Sequence, residues 1–138
     1  MSSKLYKAYT LHIVSASTVT PDIYSDTIAS FGTFPAGNYR IAYVNGAMKY
    51  SPDRQWCVNL TDSNGFFIYY FGPPVPDFQV PCNQIQYSTQ AACEAANAGA
   101  HIDFYHTGGE IGVFLEDEPI YVDNVAGSPN PTFSLVAL

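Results

Sequence analysis

Positive charge is what this sequence has least of: five lysines and arginines stand against twelve aspartates and glutamates, for a net charge of −7. A nucleic-acid reader needs a basic track to neutralise phosphates, so DNA and RNA are excluded as partners. Long apolar runs are missing too. None approaches the roughly 18 residues that span a bilayer, which argues against membrane insertion. The opening Met-Ser-Ser-Lys-Leu-Tyr-Lys lacks the apolar stretch and cleavage site of a secretory signal. The expectation is a chain that is cytosolic, already processed, or released by another route.

Catalytic parts are also scarce. His12, His101 and His106 are the only histidines, and no nucleophile motif or metal-ligand spacing joins them. His101 and Asp103 share one face of a strand, because strand side chains repeat every two residues. They read as structural groups, and the chain is expected to bind rather than catalyse. Cys57, Cys82 and Cys93 cannot all pair within one chain. A Cys82–Cys93 bridge stays open, with buried free thiols as the simpler reading. Asn59-Leu60-Thr61 fits a glycosylation acceptor, a triplet that is common by chance.

What is present is apolar and aromatic. Hydrophobic residues make up 47% of the chain, eleven residues are tyrosine, and only 12% are charged, about half the usual charged share. The length of 138 residues fits one domain, spanning 1–138. Alternation predicts strands over residues 4–14, Tyr39 to Val44, Trp56 to Leu60, Ala100 to Tyr105, Glu110 to Leu115 and Thr132 to Leu138. Phe66 to Phe71 is a continuous apolar run and predicts a fully buried strand. Pro21, Gly32, Pro35 and Gly37 read as turns, and residues 72–82, with four prolines, as a loop. Ser88 to Ala98 is the one helical segment, with Ser88 or Thr89 as cap and Gly99 as stop. Many short strands with Gly, Pro and Asn turns describe an all-β sandwich. The long crossovers favour a jelly roll with one short helix inserted around 88–98.

Charge concentrates in one place. Four of the twelve acids fall between Glu116 and Asp123, in a loop that reads Glu116-Asp117-Glu118-Pro119-Ile120-Tyr121-Val122-Asp123-Asn124. Carboxylates packed this closely repel one another unless protons or a cation intervene. A hard cation such as calcium takes about six to eight oxygens from carboxylates, amides, carbonyls and water. Asp117, Asp123 and Asn124 offer side-chain oxygens, and Pro119 stiffens the loop so that a carbonyl near Ile120 or Tyr121 can turn inward. The simpler alternative is a solvated acidic loop with local Asx turns. The spacing is not that of an EF-hand.

Two separated segments resemble the calcium-dependent, galactose-binding bacterial lectins of the LecA-like (PA-IL type) family. One is Gly46-x-x-x-Tyr50-x-Pro52-x-x-x-Trp56. The other runs from Gly109 to Leu135, with Asp117, a Pro, a Tyr, the pair Asp123-Asn124, a Gly and a last strand. The run Gly65 to Gly72 is similar to a core strand of that family, and the likeness extends from Tyr39 onward. It implies a galactose-binding-domain-like jelly roll and a calcium ion held by the Tyr50 carbonyl, Asp117, a carbonyl near Ile120 or Tyr121, Asp123 and Asn124. Sugar hydroxyls would complete the shell, with Tyr50, Pro52, Asp117, Glu118 and Asp123 around the ligand.

The sequence departs from the family in four ways. Asp123 stands where the family has Asn. The loop between Asp117 and Asp123 is one residue shorter, and residues 73–99 are an insertion. The His and Gln with which the family grips galactose have no counterpart after Trp56, which reads as a core anchor or a stacking platform. The expected function is a calcium-dependent, lectin-like module for vicinal hydroxyls of a glycan, working as a homo-oligomer because single sugar sites bind weakly. The alternative is a structural subunit of a virion, filament or other assembly, in which calcium staples the loop.

Overall fold

A computed structural model describes residues 17–70, 78–117 and 120–138 of the chain. The elements in order are β1 (Ser17–Val19), β2 (Ala29–Phe34), β3 (Gly37–Asn45), β4 (Gly65–Tyr70), β5 (Phe78–Gln79), α1 (Gln90–Asn97), β6 (His101–His106), β7 (Gly109–Glu116) and β8 (Thr132–Ala137). They form two four-stranded sheets, in the orders β1-β8-β3-β6 and β2-β7-β4-β5. Every pairing is antiparallel. Apart from the β4–β5 pair, consecutive strands lie in opposite sheets, which is the winding of a jelly-roll sandwich.

Alternation in the sequence builds this core. Tyr39, Ile41 and Tyr43 of β3 and Phe133 and Leu135 of β8 point inward from one sheet. Phe66 and Ile68 of β4 and Ile111, Val113 and Leu115 of β7 meet them from the other. The Phe66 and Phe133 rings sit 5.5 Å apart across the gap. The β4 run is buried on one face only: Phe67 faces outward and stacks on Phe114 of β7 at 6.0 Å. An aromatic pair on the outer face explains a run that reads as fully buried.

Other expectations change as well. Trp56 to Leu60 forms no strand, only isolated bridges of Trp56 to Tyr87 and Cys57 to Met48. The turn-like stretch before Gly37 contains β2, whose register slips between Ser30 and Gly32. The proline-rich loop ends in the two-residue strand β5. The strand expected over residues 4–14 lies outside the described residues, as do Phe71 and Gly72. Cys57, Cys82 and Cys93 are buried free thiols. Burial pushes Cys57 and Cys82 up to about 12 and Cys93 up to about 11, so all stay protonated and inert at neutral pH. Among the described residues no helix is long and apolar enough to cross a membrane.

Helix α1 matches its expected position. Thr89 caps it by accepting from the Ala92 N–H at 3.1 Å. The helix holds two loops together. Glu94 accepts the Gly46 N–H at 2.7 Å, while Gln90 accepts the Ser128 N–H at 3.0 Å and donates to the Pro129 carbonyl.

Asn59 has a role that the glycosylation triplet hides. It is fully buried, its amide donates to the carbonyls of Val80 and Cys82, and its oxygen accepts the Phe66 N–H at 2.9 Å. Its side chain thus bridges the loop after Trp56, the start of β4 and the segment after β5. Asn59→Ala strands three buried backbone groups and is expected to cost about 2–3 kcal/mol. Urea unfolding would read this as a lower midpoint with an unchanged slope.

Candidate functional site

Register places four strand ends at one pole of the sandwich. Gly65 pairs with Glu116 and Asn45 with Thr132, so β3 and β7 end where β4 and β8 begin. The acidic loop leaves β7 at this pole, and the segment after β3 passes beside it. The two are laced together by backbone hydrogen bonds: Ala47 N–H to the Pro129 carbonyl, Lys49 N–H to Val125, and Val125 N–H back to Lys49 at 2.8 Å. Gly46 permits the crossing. Its φ is +96°, and a Cβ there would run into the backbone of Asn130.

This lacing brings the two resembling segments into one hollow of about 280 Å³, lined by Tyr50, Ser51, Arg54, Leu60, Asn64, Asp117, Ile120 and Asp123. Tyr50 is buried, its hydroxyl donating to the Val58 carbonyl at 2.6 Å. Asp117 is 8% exposed and Asn124 5%. Asp117 Oδ2, Asp123 Oδ1 and Asn124 Oδ1 are buried with no hydrogen-bond partner. Buried acceptors are ordinarily paired, so three unpaired oxygens within one loop are unusual. The Asn124 amide is anchored on the Ile23 carbonyl at 2.8 Å. Burial raises the Asp117 carboxyl to about 6, helped by the charges of Asp123 and Glu116 and opposed by the Asn124 amide and by Arg54.

The other expected residues fall as follows. Ile120 lines the hollow, whereas Tyr121 turns away. The Tyr121 hydroxyl accepts the Asp117 N–H and donates to the Leu115 carbonyl, and its own carbonyl accepts the Asn124 N–H at 3.1 Å. Pro52 sits on the exposed turn between Ser51 and Arg54. Glu118 lies outside the described residues. Trp56 is half-buried against the core with the Lys49 ammonium 4.9 Å over its ring, so one face of the indole is covered. Of the histidine candidates, Asp103 is committed to a two-point ion pair with Arg40, and His106 is buried with Nε2 on the Gly109 carbonyl.

Beside the polar hollow lies an open apolar one of about 640 Å³, lined by Tyr24, Ile120, Tyr121 and Val122. Val122 is 87% exposed. Ile120 is the wall common to both.

Chemically, the polar hollow is an oxygen cluster. Two carboxylates on its wall offer unpaired acceptors, the unpaired Asn124 amide oxygen belongs to the same loop but not to the lining, and hard cations accept carboxylate sets when carbonyls and water add to them. Among the described residues no three carboxylate, imidazole or thiolate side chains converge. Comparison with known proteins adds no relative: no family model, no curated protein and no solved structure matches the chain. What the described residues define is a jelly-roll sandwich of eight strands with an oxygen-lined hollow at its loop pole.

Proposed function

We propose that this protein is a calcium-dependent carbohydrate-binding module, lectin-like in action, that recognises vicinal hydroxyls of a glycan without covalent chemistry. The observation that carries the reading is the trio of unpartnered buried oxygens on Asp117, Asp123 and Asn124. With the carbonyls of Tyr50 and Ile120 they supply the hard-oxygen set a calcium ion takes, and two sugar hydroxyls would complete it. The likeness of the Gly46–Trp56 and Gly109–Leu135 segments to LecA-like lectins supports the same reading. The ion's contribution is to fix hydroxyl oxygens in space, and Leu60 and Ile120 give the sugar's apolar face a wall. Weak single sites favour several copies acting together, hence a homo-oligomer.

The test combines thermal melts with glycan binding, each in calcium and in EDTA. Calcium at a hundredfold its Kd adds about 2.7 kcal/mol, a rise in Tm of roughly 10 °C for a domain of this size. Glycan binding is expected to vanish in EDTA; binding that persists in chelator rejects the reading.

A second reading is a structural subunit whose calcium site staples the loop. It is favoured by the exposed Tyr24, Ile120 and Val122 beside that loop, an apolar patch suited to contact with another copy. Calcium-dependent melting without glycan binding, together with large assemblies by electron microscopy, would support it.

A further inference from the structure

The connection between β1 and β2 reaches the acidic loop at Ile23. Ile23 is fully buried, and its carbonyl accepts the Asn124 amide at 2.8 Å. The Tyr24 N–H donates to Asp22 Oδ1 at 3.0 Å, and the Ser25 hydroxyl donates to Asp22 Oδ2 at 3.0 Å. The Ile23 carbonyl and the Tyr24 N–H belong to one peptide unit. Such a unit is planar and resists twisting, so its two ends turn together. Asn124 grips this plane from the interior and Asp22 grips it from an exposed turn. Burial holds the Ile23 side chain in the core, while these two hydrogen bonds set the orientation of the peptide that follows.

Asn124 also reaches the wall of the polar hollow. Its amide bonds the Asp117 carboxyl, and Asp123 is its neighbour in the chain. Both acids line the hollow. Asn124 Oδ1 is buried without a partner, as are one oxygen of Asp117 and one of Asp123. A side-chain amide is a single planar group, with donor and acceptor at fixed positions relative to each other. An ion that fixes the Asp117 carboxylate, or Oδ1 itself, therefore fixes the Asn124 Nδ2 and with it the Ile23–Tyr24 plane. Tyr24 lines the apolar hollow, which shares its Ile120 wall with the polar one.

We propose that Asn124 and Asp22 are positioning residues that couple the calcium site to the turn from Asp22 to Ser25. The ion fixes the Ile23–Tyr24 peptide, and that peptide holds the Asn124 amide in place for the ion. Occupation of the polar hollow thereby sets a wall of the apolar one. The inference rests on the calcium site proposed above and not on the sugar. Coupling of this kind is reciprocal, so loosening the turn must weaken calcium binding.

Calcium titration of Asp22→Ala and Asp22→Asn against the parent protein tests the coupling from the far side. Asp22 is exposed and lines neither hollow, so both variants are expected to fold. Alanine removes the acceptor for Tyr24, whereas asparagine keeps an oxygen there and loses only the charge. A hydrogen bond of this kind is worth roughly two- to tenfold in an equilibrium. Asp22→Ala is therefore expected to bind calcium about threefold or more weakly, and Asp22→Asn to stay close to the parent. Hydrogen exchange of the parent's Tyr24 amide should slow by a similar factor in calcium relative to EDTA. Equal weakening in both variants would show that only charge matters, and it overturns the inference. So does unchanged affinity in Asp22→Ala, or Tyr24 exchange that ignores calcium. A parent protein that binds no calcium overturns the calcium reading and this inference with it.

Discussion

Asp117→Asn is expected to melt above the parent protein in EDTA at pH 7 and below it in excess calcium. Burial raises the folded-state carboxyl from 3.8 to about 6, so the metal-free fold favours its neutral form. That stabilisation is fully present below the unfolded value near 3.8 and is lost as pH rises through about 6. At pH 7 the ionised, buried and partly unpaired carboxylate is a liability of about 2 kcal/mol, taking roughly 1.4 kcal/mol per unit and allowing for softening by solvent. Asparagine has the same shape without the charge and removes the liability. Calcium inverts the order, because the parent gains the binding free energy and the variant, with one charge fewer on its oxygens, loses at least a hundredfold in affinity. The parent in EDTA should also gain stability from pH 7 down to pH 4, a slope that the variant lacks. Its calcium affinity should run the other way and fall below about pH 6, where protons compete for Asp117. A variant that melts below the parent in EDTA would refute the account.

Gly46→Ala should have the largest effect on folding. Two costs coincide: a φ of +96°, and a Cβ meeting the backbone of Asn130 and Pro131, which cannot rotate out of the way. Left-handed geometry costs a non-glycine residue about 1–2 kcal/mol, and overpacking adds about 1–3, so the loss is on the order of 4 kcal/mol. Gly99→Ala is the control. Gly99 has a φ of +82° with nothing within 4 Å of an added Cβ, so it carries the first cost alone. Chemical unfolding of the pair separates backbone strain from collision. Any folded Gly46→Ala protein should also respond weakly to calcium, since forcing the crossing apart moves Tyr50 away from Asp117. Equal losses in the two variants would show that the crossing is not tight.

The sandwich could be read from sequence where one face of a strand is apolar and the other polar. Tyr39-Arg40-Ile41-Ala42-Tyr43 and Phe133-Ser134-Leu135 show that pattern plainly, and they are the centre of one sheet. β1 and β5 are too short to have a period, and the slip between Ser30 and Gly32 breaks the period of β2. Their pairing is settled by neighbours distant in sequence. The meeting of Tyr50 with Asp117, Ile120 and Asp123 in one hollow was legible only through the resemblance of two separated segments to LecA-like lectins. Ile120 and Tyr121 are adjacent and equally plausible by sequence; Ile120 lines the hollow, while the Tyr121 carbonyl accepts the Asn124 N–H. Asn59 misleads: its local triplet suggests the surface, while its three partners come from Phe66, Val80 and Cys82.

The antiparallel winding decides how the molecule can be handled on a sensor chip. β8 begins at the loop pole and runs away from it, so Leu138 emerges at the far end, beyond Ala137 and its pairing with Tyr39. A biotin or affinity tag attached after Leu138 would present the oxygen-lined hollow to the flowing analyte. Amine coupling would do the opposite at one position, because Lys49 bridges to Val125 next to the hollow and would bring that face against the support.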